Sequence, residues 1–580
     1  MDNQFLKNWG MVQENQARAA KMLEYFPTTL SKSGRLMPRI NPFFRDGPYE
    51  ARVFYDETEL LIKRRTYENF AEDWAYIFGA GLMNFCGKET SLVIGHDIRE
   101  GSVYLHPFAL KGSMGCGIQT IDAGLCTGPE LSYLTNKYGW AFLNGTASHY
   151  RKIGFLGFKN GWPWGKPMYN NMRMTQIIEM AKEGHFNRTH KQGWQPKELP
   201  LKTIDATKEY VDACWKGFDP ESLGEFKIAI EAFSSGGTKM YTQMFEGTQI
   251  TTLDVRDFAK NPIVVNNDGG MISNPHWGFS NSYFLPCDPG RYCRPDPLHV
   301  NETWTAREAV IQHKCNLAVI ADHDADRMGI LDENGEWLSA STIDCLVYEQ
   351  LAYEQGNTLE GISVFGDVRL SRVVKEMVTK LDGKMVIGEV GRPYVIDLFQ
   401  TEKLDLGSEG SLHHNSKRMN GNEDPLYFLF MILKLMKRTG LRLSILAAKY
   451  NKYFNSGEFY ILIRDDQDLA KYREWERRKR VQEGKYLTHT ELTHGINVED
   501  QNCRWGMRES YSEAFCKGYV ESFVSRKHGV KVLNDLLDSL AEFDLYPANP
   551  FMNENNIQRL MAKNPTSPQT SIGEVMFMGI

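Results

Sequence analysis

Three aspartates on alternate positions, Asp322, Asp324 and Asp326, stand beside Arg327 in the run DHDADR, directly after the apolar stretch Leu317 to Ala321. At the end of an extended strand alternate side chains point the same way, so three carboxylates would repel one another unless a cation sat among them. Ligation by oxygen alone suits a hard ion such as magnesium. The guanidinium of Arg327 adds a planar donor matched to a phosphate oxygen. Metal plus phosphate is the chemistry these types and spacings imply.

Other readings compete for the same run. A calcium-binding EF-hand loop would use acidic residues at its first, third and fifth positions and would find its closing glutamate at Glu333. It requires glycine at its sixth position, which here is Arg327, and a helix ahead of it, where Leu317 to Ile320 reads as a buried strand. A haloacid-dehalogenase-type phosphatase would have threonine where Asp326 stands. An acidic solvated turn is the remaining alternative, and this run alone leaves it open.

A second candidate is GTASHYRK, Gly145 to Lys152, after a strand-like segment ending near Asn144. Gly145, Thr146 and Ala147 are small enough for a sharp turn that would hold the Ser148 hydroxyl out in a cleft, with His149 as a neighbouring donor. An ordinary turn has the same composition, and no Ser-His-Asp triad follows from adjacency in sequence.

The elements that must carry these residues alternate between strand-like and helical patterns, as in α/β units. One block holds Ser91 to Gly95, Gly117 to Asp122 and Trp140 to Asn144; a second holds Phe226 to Phe233, Ile250 to Val255 and Leu317 to Ala321. A third holds Ile362 to Phe365, Lys384 to Ile387 and an apolar helix from Leu426 to Lys437, and the texture changes after Tyr450. There a strand-like Phe459 to Ile463 precedes KYREWERRKR at 471 to 480, a solvated helix face. With 580 residues, 42% hydrophobic and 12% aromatic, the chain has material for several cores. A net charge of −6 argues against a nucleic-acid-binding surface. Ten scattered cysteines without a CxxC pair predict reduced thiols in the cytoplasm. No run approaches about 18 apolar residues, so neither a signal peptide nor a membrane span is expected.

Taken in order, TASH at 146 to 149, DHDADR at 322 to 327, GSEGS at 407 to 411 and RESYSEA at 508 to 514 give the chain its resemblance to the α-D-phosphohexomutase superfamily, which includes phosphoglucomutase and phosphomannomutase. Members of that superfamily carry a TASHNP phosphoserine loop, a DGDGDR-like metal loop, a GEESG sugar loop and an RPSGTEP phosphate loop, one per domain. VIGHDIREGS at 93 to 102 and DAGLCTGPELSY at 122 to 133 are similar to intervening family segments. The similarity extends over about residues 55 to 525.

The resemblance implies a four-domain architecture, three α/β domains plus a C-terminal α+β domain around a central cleft. The expected boundaries are 51–200, 201–340, 341–450 and 451–544, with an N-terminal extension at 1–50 and a tail at 545–580. It implies Ser148 as phosphoryl carrier and Mg2+ held by Asp322, Asp324, Asp326 and the serine phosphate. Lys159 and Arg327 would steady the moving group, Lys159 assisting proton transfer with His149 as the alternative. Glu409 and Ser411 would bind the sugar, and Arg508, Ser510 and Ser512 the distal phosphate. The expected reaction interconverts hexose 1-phosphate and hexose 6-phosphate through a hexose 1,6-bisphosphate. The alternative is a mutase-derived structural or binding subunit whose terminal extensions engage protein partners.

Several positions depart from the family pattern. Tyr150-Arg151 replaces Asn-Pro, His323 replaces a glycine whose positive φ a histidine tolerates poorly, and Ser408 replaces a glutamate. Glu509 puts an acid where it would oppose a phosphate. Charge chemistry is kept better than substrate recognition.

Overall fold

The computed structural model describes residues 57–86, 90–97, 100–138, 141–147, 156–161, 201–255 except 234, 304–463 except 389, 466–484, 495–509 and 515–546, with a few isolated short stretches between them. The expected extensions at 1–50 and 545–580, and Ser148, His149, Ser510 and Ser512, lie outside the described residues, apart from Arg35–Leu36 and from Leu545 and Tyr546.

Three sheets share one plan of parallel strands closed by an antiparallel hairpin. In the first, the strand order is Arg35–Leu36, Leu156–Gly161, Ala141–Ala147, Ser91–His96, Gln119–Leu125, Lys202–Thr203. Ser91–His96 lies parallel to both Gln119–Leu125 and Ala141–Ala147, and Leu156–Gly161 returns antiparallel to Ala141–Ala147. In the second, Leu317–Ala321 is parallel to Lys227–Glu231 and antiparallel to Met328–Asp332. In the third, Ser363–Asp367 is parallel to Lys384–Gly388 and Leu406–Ser408, and His414–Ser416 returns antiparallel. The C-terminal sheet is antiparallel throughout, built on Cys503–Glu509 and Phe515–Ser522, with helices Asp466–Glu483 and Arg526–Ala541 beside it. The expected fold class therefore stands: three α/β units and a last α+β one.

Local chemistry explains the elements. LAVIA at Leu317–Ala321 is buried along its whole length because strands flank it on both sides, which favours an unbroken apolar run over alternation. Helix Pro425–Thr439 starts with proline in its first turn and ends at Gly440, whose φ of 67° lets its N–H reach the Met436 carbonyl at 2.9 Å. Lys437 and Arg438 complement the negative end of its dipole. Helices Glu57–Cys86 and Glu100–Cys116 approach so closely that a Cβ on Gly112 would stand 1.9 Å from the Glu72 carbonyl oxygen, so only glycine fits there.

One apolar core joins the second and third sheets: Tyr241, Val319, Leu346, Val374, Leu429 and Leu446 belong to a single buried cluster, with helices Ala340–Glu354 and Pro425–Thr439 at its centre. The C-terminal unit has its own core around Phe459, Trp475, Trp505 and Leu536. Among the described residues no helix is long and apolar enough to cross a membrane.

One local expectation fails. Gly145, Thr146 and Ala147 do not turn; they continue the ladder, with Ala147 opposite Leu156, because the returning strand supplies hydrogen-bond partners up to that point. Each of the four sequence motifs begins at the end of the first arm of an antiparallel pair: 141–147 with 156–161, 317–321 with 328–332, 406–408 with 414–416, and 503–509 with 515–522.

Candidate active site

The run Asp322 to Arg327 is a turn rather than an extended strand end, and it is buried: Asp322 and Asp324 are 0% exposed and Asp326 5%. A solvated acidic turn is thereby excluded. The strand ahead of the run likewise removes the EF-hand reading. His323 does not take the positive φ that a histidine tolerates poorly; the loop is arranged with it at Ala325, at 50°, where the Ala325 N–H donates to the Asp322 carbonyl at 3.0 Å. A single methyl group tolerates this left-handed conformation at a cost of roughly 1–2 kcal/mol.

The three carboxylates each offer an oxygen within 4.8 Å of the others. Burial, then the charges of Asp326 and Asp324, keep Asp322 protonated far above the usual carboxylate range. Asp326 goes the other way: burial opposes its charge, but Lys159, His413 and Arg327 outweigh it and hold it well below that range. Three buried carboxylates converging at this spacing fit a hard divalent cation, which would relieve the repulsion that now raises Asp322.

Lys159 and Arg327 both face the cluster. The Lys159 ammonium donates to Asp324 and, at 3.1 Å, to Asp326 Oδ2; Arg327 Nε lies 3.6 Å from Asp322 Oδ2. Lys159 arrives from the first sheet, opposite Asn144 in the same hairpin whose other arm ends at Ala147, the residue before Ser148. Two backbone contacts tie the loops together: the Gly128 N–H donates to the Asp324 carbonyl at 2.6 Å, and Met328 N–H to the Leu412 carbonyl at 3.1 Å.

The third loop carries Glu409 and Ser411. Glu409 is buried, accepts the Gly391 N–H at 2.7 Å and pairs with His413 Nδ1 at 3.0 Å. His413 Nε2 faces Asp326 Oδ1 at 3.5 Å, so one imidazole spans two loops. Burial opposes charge on both groups. The carboxylates nonetheless raise His413 to about 10, and His413 and Arg369 lower Glu409 to about 2. Ser411 Oγ receives a hydrogen bond from Arg369 Nη2 at 3.1 Å. Ser408 is fully buried, donating to Asp344 Oδ1 at 2.5 Å beside His414 Nδ1 at 2.9 Å.

The fourth hairpin brings Arg508 opposite Lys517. Both face Glu458, from Nη2 at 3.9 Å and Nζ at 3.7 Å, and Arg369 Nη1 reaches the same carboxylate at 2.7 Å. Against burial, Lys517, Arg369 and Arg508 hold Glu458 well below the usual carboxylate range. The Glu509 carboxylate is paired with Arg473 Nε at 3.0 Å.

Sequence reasoning missed His413, Arg369 and Glu458. His413 could have been found four residues after Glu409. Arg369 follows the strand end Asp367, with which it forms a buried ion pair. Glu458 gives no signal in sequence, since its importance comes only from the three cations that meet on it.

Beside the acidic loop, Thr127 and Glu130 form a capping box at the start of helix Gly128–Lys137, with Thr127 N–H donating to Glu130 Oε2 at 2.6 Å. Burial lifts Glu130 to about 7, from 4.5. The folded state thus binds a proton that the unfolded chain releases earlier. This contribution is complete below pH 4.5 and is lost as pH rises through about 7. Stability should fall by about 3 kcal/mol across that window. Glu130→Gln should flatten that fall in chemical-denaturation curves, and an unchanged slope would reject the assignment.

Two family descriptions match the chain: phosphoglucomutase/phosphomannomutase alpha/beta/alpha domain I over residues 61–188, and alpha/beta/alpha domain III over residues 342–453. The chain is 24% identical over 472 residues to a phosphomannomutase of Methanocaldococcus jannaschii, covering 79% of this chain and 91% of that one. It is 24% identical over 481 residues to a phosphomannomutase of Vibrio cholerae, covering 81% and 93%. Its fold is similar to that of a phosphoglucomutase/phosphomannomutase family protein from Burkholderia thailandensis, with a TM-score of 0.65 at 15% identity over 88% of this chain and 97% of that one. It is also similar to parafusin, a phosphoglucomutase from Paramecium, with a TM-score of 0.59 at 14% identity over 82% and 92%.

Proposed function

We propose that this chain, which belongs to the α-D-phosphohexomutase superfamily, interconverts hexose 1-phosphate and hexose 6-phosphate, with Ser148 as the phosphoryl carrier. The observation that carries this reading is the meeting of Lys159, from the first hairpin, with Asp324 and Asp326, from the second. It supports a site in which the loop beginning at Ser148 serves the acidic cluster. On this reading the units are 51–200, 201–340, 341–450 and 451–544, flanked by extensions at 1–50 and 545–580.

Phosphoryl transfer asks the protein for positioning and charge neutralisation more than for covalent chemistry. Asp322, Asp324 and Asp326 would hold Mg2+, which when bound draws electron density from a phosphate oxygen and so eases transfer. Lys159 would exchange a proton with the hydroxyl that gains or loses phosphate, and His149 is the alternative. Arg327, anchored by Asp322, offers its remaining donors to the moving group. Glu409, fixed by Gly391 and His413, presents an oriented carboxylate edge to sugar hydroxyls, with Ser411 beside it. Arg508, with Ser510 and Ser512, would grip the distal phosphate. The serine phosphate passes to the sugar, the resulting hexose 1,6-bisphosphate reorients, and its other phosphate returns to the serine. Net, phosphate moves between C1 and C6. The free thiols at Cys116, Cys126, Cys214, Cys345 and Cys516 support a reducing, cytoplasmic setting.

Intact mass and phosphopeptide mapping test the reading. The expected result is stoichiometric phosphate on Ser148 that hexose phosphate removes and hexose 1,6-bisphosphate restores. A serine that no sugar bisphosphate can charge would favour a binding subunit instead.

A further inference from the structure

The cations Arg369, Arg508 and Lys517 reach Glu458 from two separate units of the fold: Arg369 follows the third sheet, and the other two stand on the last hairpin. Glu458 Oε1 takes Arg369 at 2.7 Å and Arg508 at 3.9 Å. Its Oε2 takes the Tyr460 hydroxyl at 3.1 Å and Lys517 at 3.7 Å. The side chain is 14% exposed, so water screens this charge only weakly.

The charge count shows what the arrangement is built for. Three positive groups face two negative ones, Glu458 and the Asp367 that holds Arg369. The count is taken over these five groups; the next acids have partners of their own, Glu409 in His413 and Glu509 in Arg473. With Glu458 in place the cluster carries one surplus positive charge. With a phosphate dianion in its place the charges cancel, whereas keeping both anions would leave the cluster negative. Room for the displaced side chain exists: a cavity of about 120 Å³ adjoins the ion pair, lined by Arg369, Gly410, Ser341, Asn455, Tyr519 and Glu458 itself.

We propose that Glu458 is an internal stand-in for phosphate, its carboxylate filling the anion position formed by Arg369, Arg508 and Lys517 and withdrawing when a phosphate dianion arrives. The proposal deepens the reading above, since it rests on Arg508 as a phosphate ligand. Two consequences follow. The clamp stays assembled between turnovers, because its cations never face one another without an anion between them. It also selects by charge: a monoanion that displaces Glu458 gains nothing, and only a dianion supplies the missing negative charge.

Calorimetric titration of the full chain with inorganic phosphate near pH 8, where phosphate is largely a dianion, provides the test. Removing the competing carboxylate in Glu458→Gln should tighten phosphate binding about tenfold. It should also let nitrate, a monoanion, compete for the site, which it does not do in the natural protein. Adding Arg508→Met should erase both gains. Glu458→Asp, which keeps the charge on a shorter arm, should give an intermediate gain and serves as the readout if the glutamine variant does not fold. Equal or weaker phosphate binding in the folded variants, or no phosphate binding by any form, would overturn the proposal. Labelling of Ser148 is an independent readout, so the mutase reading and this one can fail separately.

Discussion

Asp324→Asn is expected to lower turnover of glucose 1-phosphate and mannose 1-phosphate by about 10²- to 10³-fold, the loss typical of removing one preorganised charge from a water-excluded site. Asp324 has no exposed surface and shares its carboxylate with Lys159, so the amide changes charge and proton traffic while keeping the shape. Stability should move the other way or stay level, because Asp322 loses a repelling neighbour and Lys159 keeps Asp326 as a partner. A folded variant with low turnover would therefore separate function from folding. Unchanged turnover would remove the acidic cluster from the reaction.

Arg504→Met should cost about 3–5 kcal/mol, the penalty for leaving a buried charge without its partner. Arg504 Nε donates to Glu521 Oε2 at 2.7 Å, and Glu521 is fully buried; the Arg372 N–H donates to the same oxygen at 3.1 Å. Thermal unfolding followed by near-ultraviolet circular dichroism reads the loss. The double change Arg504→Met with Glu521→Leu should recover most of it, since two apolar residues of similar volume often replace a buried pair without penalty. A loss below about 1 kcal/mol for the single change would mean that water reaches Glu521 and the pair is not isolated.

How much of this was legible in the sequence depended on whether the information was local. Leu317–Ala321 is recognisable as a strand because a run of five buried apolar residues is a local signal. Helix Pro425–Thr439 was visible from its apolar run, within two residues at each end. The acidic triad was legible as a cluster, because carboxylates so close in sequence must meet in space. The backbone inside the loops was not: nothing local says that Ala325 rather than His323 takes the positive φ, or that Gly145 to Ala147 extend a strand. Ion pairs between distant segments were hidden for the same reason. His413 with Asp326 and Arg369 with Glu458 each join residues more than eighty positions apart, and periodicity cannot report such a meeting.

The shared apolar core described above has a consequence for how the molecule comes apart. Because Val319 of the second sheet and Val374 beside the third lie in one buried cluster, while Trp475 and Leu536 lie in another, the chain has fewer cooperative blocks than sheets. The two middle layers should melt together as a single calorimetric transition, and the C-terminal block should open on its own. The loops bearing the aspartates and Glu409 are thus mounted on one shared core, and the block carrying Arg508 on another.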